Sequence, residues 1–311
     1  MRVVPPSLSI GERAAPIPVN RSLSLCRGFD LLIGSDVLIP GSVPLEADAL
    51  PMASPDLRIR FGKTSLSEEH GSCGPYRSGP EGLLFEKPGV ARFLCSWDGQ
   101  GIQFELCVGA TLEEAISYLI ATAIPAVLWL RGDLVLHGAA AIMPGQEKAM
   151  VLIGDSGSGK STLLESLVRE GGRVVSEDSL CLRETAGRIT ASGLPACLHL
   201  RSPGSSLDSR RTVHPVPETQ CAQSAEISAI IVLEPRDNAL DSHMERLDTV
   251  AAISALLAHR HRPRVPEFLN LSGGQLPRWA ALARAFPVYS WKTSRMTLHI
   301  KRNLVPWSSL V

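Results

Sequence analysis

No cysteine in this chain stands in a C-x-x-C pair. The seven that occur, Cys26, Cys73, Cys95, Cys107, Cys181, Cys197 and Cys221, are scattered and odd in number. That excludes a disulfide frame or a cysteine zinc site and fits reduced thiols in the cytoplasm. Net charge is missing as well: 31 Lys plus Arg balance 31 Asp plus Glu. No global field therefore draws the chain to nucleic acid or to anionic lipid, and any site for a polyanion must be local. The opening MRVVPPSLSIGERAAPIP lacks the unbroken apolar stretch of an export signal. The longest apolar run, AISYLIATAIPAVLWL (115–130), is cut by Pro125 and falls short of the about 20 residues that span a bilayer. A buried helix, broken or ended near Pro125, is expected instead, with no membrane partner. Internal repeats and low-complexity tracts are absent, and beyond Glu267 the chain carries no Asp or Glu at all.

What is present reads as a globular protein. Apolar residues make up 44% and charged residues 20% of 311, enough for a proper core and, by length, about two domains. Residues 1–22 are expected to form a loose, proline-containing leader, 23–130 a small β-rich domain, and 131–311 a nucleotide-binding catalytic domain. In the first domain FDLLIGSDVLI, DLRIRFG and ARFLCSWDGQGIQFELCV read as strands, with Asp98-Gly99-Gln100-Gly101 as a hairpin turn. Thr111 and Glu114 form a capping-box pattern that opens a helix. In the second, LVLHGAAAIM and AMVLIG read as two strands joined by a turn at Pro144-Gly145; STLLESLVRE is a helix stopped by Gly171-Gly172, and RVVSEDS and ISAIIVLEP are strands.

The chemistry concentrates at GDSGSGKST, residues 154–162, a full match to G-x-x-x-x-G-K-[ST] between a strand and a helix. Such a loop turns backbone amides and a helix N-terminus toward a polyphosphate. Gly154, Asp155, Ser156, Gly157, Ser158, Gly159, Lys160, Ser161 and Thr162 are thus the candidate nucleotide site for ATP or GTP. Lys160 is expected on the β- and γ-phosphates and the Ser161 hydroxyl on Mg²⁺. Transfer needs further groups, and Glu177 and Asp178 stand at the end of the next strand, on the sheet edge expected to face the loop. As solvated loop acids they would do nothing. His137, in an apolar strand before Gly138, is either a core histidine or a member of the site.

The segment LSGGQLPRWAALARAF (271–286) carries the letters of the transporter ATPase signature. In that arrangement the signature precedes a strand ending in acids, and the acid-free tail forbids one. The segment is expected to be a glycine loop leading into a packing helix, with Pro277 in its first turn. HRHRPR (259–264) is read either as a grip on phosphate or an acidic peptide, or as a solvated helix end.

The run LHGAAAIMPGQEKAMVLIGDSGSGKSTLLESLVREGGRVVSEDS resembles the core of the HPr kinase/phosphorylase family, and FDLLIGSDVLIPGSVPLE, PDLRIRFG and WLRGDLVLHGAAA resemble its serine-kinase branch in lasso-peptide clusters. The resemblance implies an α/β fold of the HPr kinase C-terminal, phosphoenolpyruvate-carboxykinase-like type behind a small β-rich α+β domain. It implies an ATP- and Mg²⁺-dependent transfer to a serine of a precursor peptide or protein, in the cytoplasm. Asp178 would be the general base, His137 its neighbour, Lys160 the phosphate ligand, and Ser161 with Glu177 the metal ligands; the family has Asp where this chain has Glu177. The signature for the reverse phosphorylase reaction is missing, which disfavours a bifunctional enzyme. A nucleotide-binding sensor or scaffold without transfer stays open, as does self-association.

Overall fold

The structure, a computed structural model, describes residues 23–45, 54–200, 212–235 and 243–293. The expected leader 1–22 lies outside them. Nine strands form the first sheet: β1 (Ser24–Gly28), β2 (Leu31–Ser35), β3 (Val43–Pro44), β4 (Leu57–Phe61), β5 (Gly71–Cys73), β6 (Tyr76–Gly79), β7 (Gly82–Lys87), β8 (Ala91–Ser96) and β9 (Gly101–Leu106). Their order is β3-β1-β2-β4-β9-β8-β7-β6-β5, with β4 parallel to both β2 and β9. The expected hairpin joins β8 to β9 through a turn with Gly99 at φ 65°. Period-two alternation places Phe93 and Phe104 inside, their stacked rings 6.0 Å apart.

The capping box forms as expected: Thr111 Oγ1 accepts from the Glu114 amide, and the Glu114 carboxylate accepts from the Thr111 amide. It opens α1 (Leu112–Tyr118), which runs through a π-helical turn, Leu119–Ala123, into α2 (Ile124–Leu130). The expected break at Pro125 does not occur. Pro125 sits in the first turn of α2, and the wider π turn before it accommodates the ring where an α-turn would clash. By length and composition the continuous helix 112–130 is long and apolar enough to cross a membrane, yet 56% of the apolar window is buried inside the protein.

The second sheet begins with β10 (Leu134–Ile142), which pairs antiparallel with β11 (Ala149–Ile153), β12 (Arg173–Ser176) and β13 (Ser179–Thr185). Next come β14 (Arg188–Ser192), paired with β13, and β17 (Ser224–Pro235), which pairs with β14 on one side and runs parallel to β11 on the other. The pairings β11-β10-β13-β14-β17 thus close on themselves. Outside this ring β17 continues to β19 (Val288–Thr293) and β18 (His243–Arg246), while β15 (Cys197–Leu200) pairs separately with β16 (Thr212–Pro215).

Strands buried on both faces explain the apolar texture of this half. Val151 and Ile153 of β11 and Ile230 and Val232 of β17 join a core shared with the nine-stranded sheet and α2. Their neighbours Met150, Leu152, Ile231 and Leu233 join a second core under α3 (Lys160–Arg169). On the first core lie α4 (Thr249–Ala258), α5 (Arg264–Phe268) and α6 (Ser272–Ala285). α6 corrects the reading of LSGGQ as a loop: the glycine pair is already helical and Pro277 lies inside the helix. The helix is fixed from its buried side, where Trp279 packs on Trp129 with ring centroids 6.5 Å apart, so tertiary packing overrides the low propensity of Gly and Pro.

Candidate functional site

The loop expected to cradle phosphate lies where the sequence puts it, between β11 and α3. Gly154 enters it at φ 150°, and a Cβ there would meet the Leu233 carbonyl oxygen of β17 at 2.7 Å, so only glycine fits. Gly159, at φ 100°, is the N-cap of α3 and offers no side chain to its first amides. A helix N-terminus without a side-chain cap is a place where an anion can bind. Asp155 and Ser156 are exposed at the rim, Gly157, Ser161 and Thr162 half-buried, and Ser158 buried. The Ser158 hydroxyl has no hydrogen-bond partner, an orphaned donor inside the loop. Lys160, 7% exposed, donates from Nζ to the carbonyls of Gly154 (2.6 Å) and Asp155 (3.1 Å). A cation thus closes the loop on itself at the position where phosphate oxygens would exchange with these carbonyls.

The two acids occupy the corner between β12 and β13, tied by Ser176 Oγ donating to the Ser179 carbonyl (2.7 Å) and by the Gly138 amide donating to the Asp178 carbonyl (3.0 Å). β11 and β12 both run antiparallel to β10, which brings the corner beside the loop. Ser161 Oγ donates to Glu177 Oε1 at 2.7 Å, and His199 Nδ1 donates to Glu177 Oε2 at 2.7 Å. Glu177 is 6% exposed, a desolvated carboxylate held on both oxygens. A hydroxyl and a carboxylate side by side at a helix N-terminus are the hard oxygen donors that suit Mg²⁺. Asp178 turns the other way, with Oδ1 3.4 Å from His137 Nδ1. His137 owes its place to Gly138, where a Cβ would meet the Leu152 carbonyl at 2.8 Å; glycine there lets β10 lie against β11.

HRHRPR is not a solvated helix end, since it lies along β10 with its first four residues at least half-buried. Arg260 bridges to Leu136 of β10, with the His137 amide donating to the His259 carbonyl and the His261 amide to the Val135 carbonyl, both at 2.8 Å. Its guanidinium groups serve structure: Arg260 donates to Glu267 and the Leu257 carbonyl, and Arg262 to the Ala121 carbonyl at 2.6 Å. His261 Nε2 donates to that same carbonyl at 2.9 Å. The reason is Pro125. It has no N–H to give to the carbonyl four residues back, and that carbonyl is Ala121. The histidines face the site. His259 is held below the usual imidazole range by burial, in the fields of Asp155, Lys160 and Glu234. His261 is pushed down to about 4, mainly by burial.

Three residues were missed in the sequence. His199 comes from β15, where only an apolar strand pattern surrounds it. His261 is concealed in a basic run. Glu234 ends β17 beside β11 and accepts from Ser290 Oγ at 2.9 Å; as a carboxylate at the tip of an apolar strand, it could have been found. A cavity of about 440 Å³ opens beside the acidic corner, lined by Phe29, Ile116, Ile120 and Leu194 together with Asp178 and His199.

No protein-family model matches the chain, and a search of curated proteins returned no match. Among solved structures the chain is similar to the Hpr(Ser) kinase/phosphatase from Coxiella burnetii, with 13% sequence identity and a TM-score of 0.35 over 57% of this chain and 96% of that one. That likeness is too distant to assign a family.

Proposed function

We propose that the protein is an ATP- and Mg²⁺-dependent kinase that phosphorylates a serine hydroxyl of a peptide or protein, in the finer reading a ribosomal precursor peptide of a lasso-type cluster, in the cytoplasm. The observation that carries the proposal is the division of labour at the acidic corner. Glu177 meets Ser161 of the loop and Asp178 meets His137, with both acids on the wall of the cavity. Phosphoryl transfer needs these two carboxylate roles on either side of the reacting phosphorus.

In this reading the loop amides and Lys160 bind the polyphosphate, and Ser161 and Glu177 hold Mg²⁺. The bound metal neutralises charge that develops on the phosphate oxygens. His199 fixes Glu177 from the far side. Asp178 accepts the proton of the acceptor hydroxyl as its oxygen bonds to phosphorus and the bond to ADP breaks, a role worth about 10²–10⁴-fold. His137 orients Asp178. The cavity supplies an apolar wall for the side chain next to the acceptor serine.

The test uses γ-labelled ATP with candidate serine peptides. Asp178→Asn is expected to lower label transfer at least about 10²-fold while leaving nucleotide affinity within about twofold of the parent protein. Nucleotide binding with no transfer to any acceptor would instead identify a sensor or scaffold.

A further inference from the structure

Beside the acidic corner His261 joins two residues of the kinase reading in a constellation of its own. His137, Asp178 and His261 each offer a ligand atom, and the three atoms lie within 4.8 Å of one another. His261 is the informative member. It is 6% exposed, and its Nε2 is committed to the Ala121 carbonyl. A carbonyl only accepts, so Nε2 carries the proton and Nδ1 keeps the lone pair. Nδ1 is buried and has no hydrogen-bond partner. A ring nitrogen left unsatisfied inside a protein is costly, and such an orphan calls for an occupant.

We infer that His137, Asp178 and His261 form a binding site for a d-block dication such as Zn²⁺, distinct from the Mg²⁺ position at Ser161 and Glu177. One edge of the triangle already has the spacing of such a site. Bonds of about 2.0–2.1 Å to a tetrahedral ion set ligand atoms about 3.3 Å apart, and His137 Nδ1 and Asp178 Oδ1 are 3.4 Å apart. Two imidazoles and one carboxylate favour borderline ions over Mg²⁺, which prefers oxygen and retains its waters. The ligand set is also held from outside: the Ala121 carbonyl fixes the tautomer of His261, the outer partner that metal-bound imidazoles ordinarily have. Resting on the kinase reading, one consequence follows. An ion here ligates Asp178 and withdraws it from the acceptor hydroxyl, so Zn²⁺ inhibits transfer.

Co²⁺ is the probe, titrated into the full chain in excess Mg²⁺ with neither nucleotide nor acceptor present and followed by its ligand-field absorption and by calorimetry. One Co²⁺ is expected, with a four- or five-coordinate spectrum, displaced by Zn²⁺. His261→Gln, which keeps an amide donor for Ala121, and His137→Asn, at a half-buried position, are each expected to weaken it at least about tenfold. If His261→Gln fails to fold, His137→Asn decides. No Co²⁺ binding in excess Mg²⁺, or binding unchanged by the folded variants, overturns the site. In the transfer assay, His261→Gln is expected to raise the Zn²⁺ concentration for half-inhibition about tenfold, and Zn²⁺-insensitive transfer overturns the inhibition. A protein that binds Co²⁺ as expected but transfers no phosphate refutes the kinase reading alone.

Discussion

His261 gives the sharpest pH prediction. Burial holds its imidazole down to about 4 from 6.5, the Ala121 carbonyl and Asp178 acting in the opposite sense and Arg262 and His137 adding to the depression. The folded state therefore keeps His261 neutral while the unfolded chain protonates it below about pH 6.5, so the unfolded state binds more protons across that window. Stability is full above pH 6.5, falls as pH is lowered, and stops falling below about pH 4. At about 1.36 kcal/mol per pKa unit the whole effect is about 3 kcal/mol, of which about 2 kcal/mol is lost between pH 6.5 and 4.5. The assay is urea unfolding of the parent protein and His261→Gln at several pH values across the window. Groups that do not interact with His261 contribute equally to both proteins and cancel in the difference; its neighbours Asp178 and His137 titrate together with it. The expected result is a variant whose stability falls about 2 kcal/mol less than the parent's between pH 6.5 and 4.5. Parallel curves would refute the argument, because a histidine that protonates freely in the folded state is neither buried nor holding a lone pair inward.

Two further predictions probe the frame. Arg183 meets Asp133 in a bidentate pair at 2.9 and 2.8 Å, with Asp133 5% exposed, and this bond raises Arg183 above the usual guanidinium range. Asp133→Asn leaves that cation without its counter-charge and is expected to cost about 3 kcal/mol in urea unfolding; a cost below about 1 kcal/mol would show that the pair behaves as a surface one. At Gly273 and Gly274 an added Cβ meets nothing within 4 Å, so alanine at either position should stabilise α6 by about 0.5–1 kcal/mol in thermal unfolding and leave nucleotide affinity unchanged. A selective loss of nucleotide binding would restore a functional role to LSGGQ.

Features written in neighbouring residues were readable in the sequence: the capping box at Thr111 and Glu114, the β8–β9 turn, and the loop that ends in Lys160 and Ser161. Each depends on contacts a few residues apart, where backbone preference and side-chain chemistry agree. The bringing together of Ser161 and Glu177 was also foreseeable, since strand, loop, helix and strand return the chain to one sheet edge. Strands β5, β6 and β7 escaped notice because GSC, YRSG and GLLFEK have no alternation of their own and become strands by pairing with each other. The helix through LSGGQ was hidden by two glycines and a proline, outweighed by the buried Trp279. His261 was illegible for a different reason. Its environment is made by the carbonyl of Ala121, 140 residues earlier in the chain, and no local pattern records a hydrogen bond that proline prevents.

The corner at Glu177 and Asp178 has a consequence for how this chain can vary. Glu177 and Asp178 stand in the bend between β12 and β13, and these neighbours answer to different partners: Ser161 and His199 for the first, His137 for the second. A substitution at either position removes one set of contacts and leaves the other's partners in place. An insertion or deletion of a single residue in that bend would displace both sets at once. Among descendants of this sequence the corner should therefore tolerate changes of letter better than changes of length.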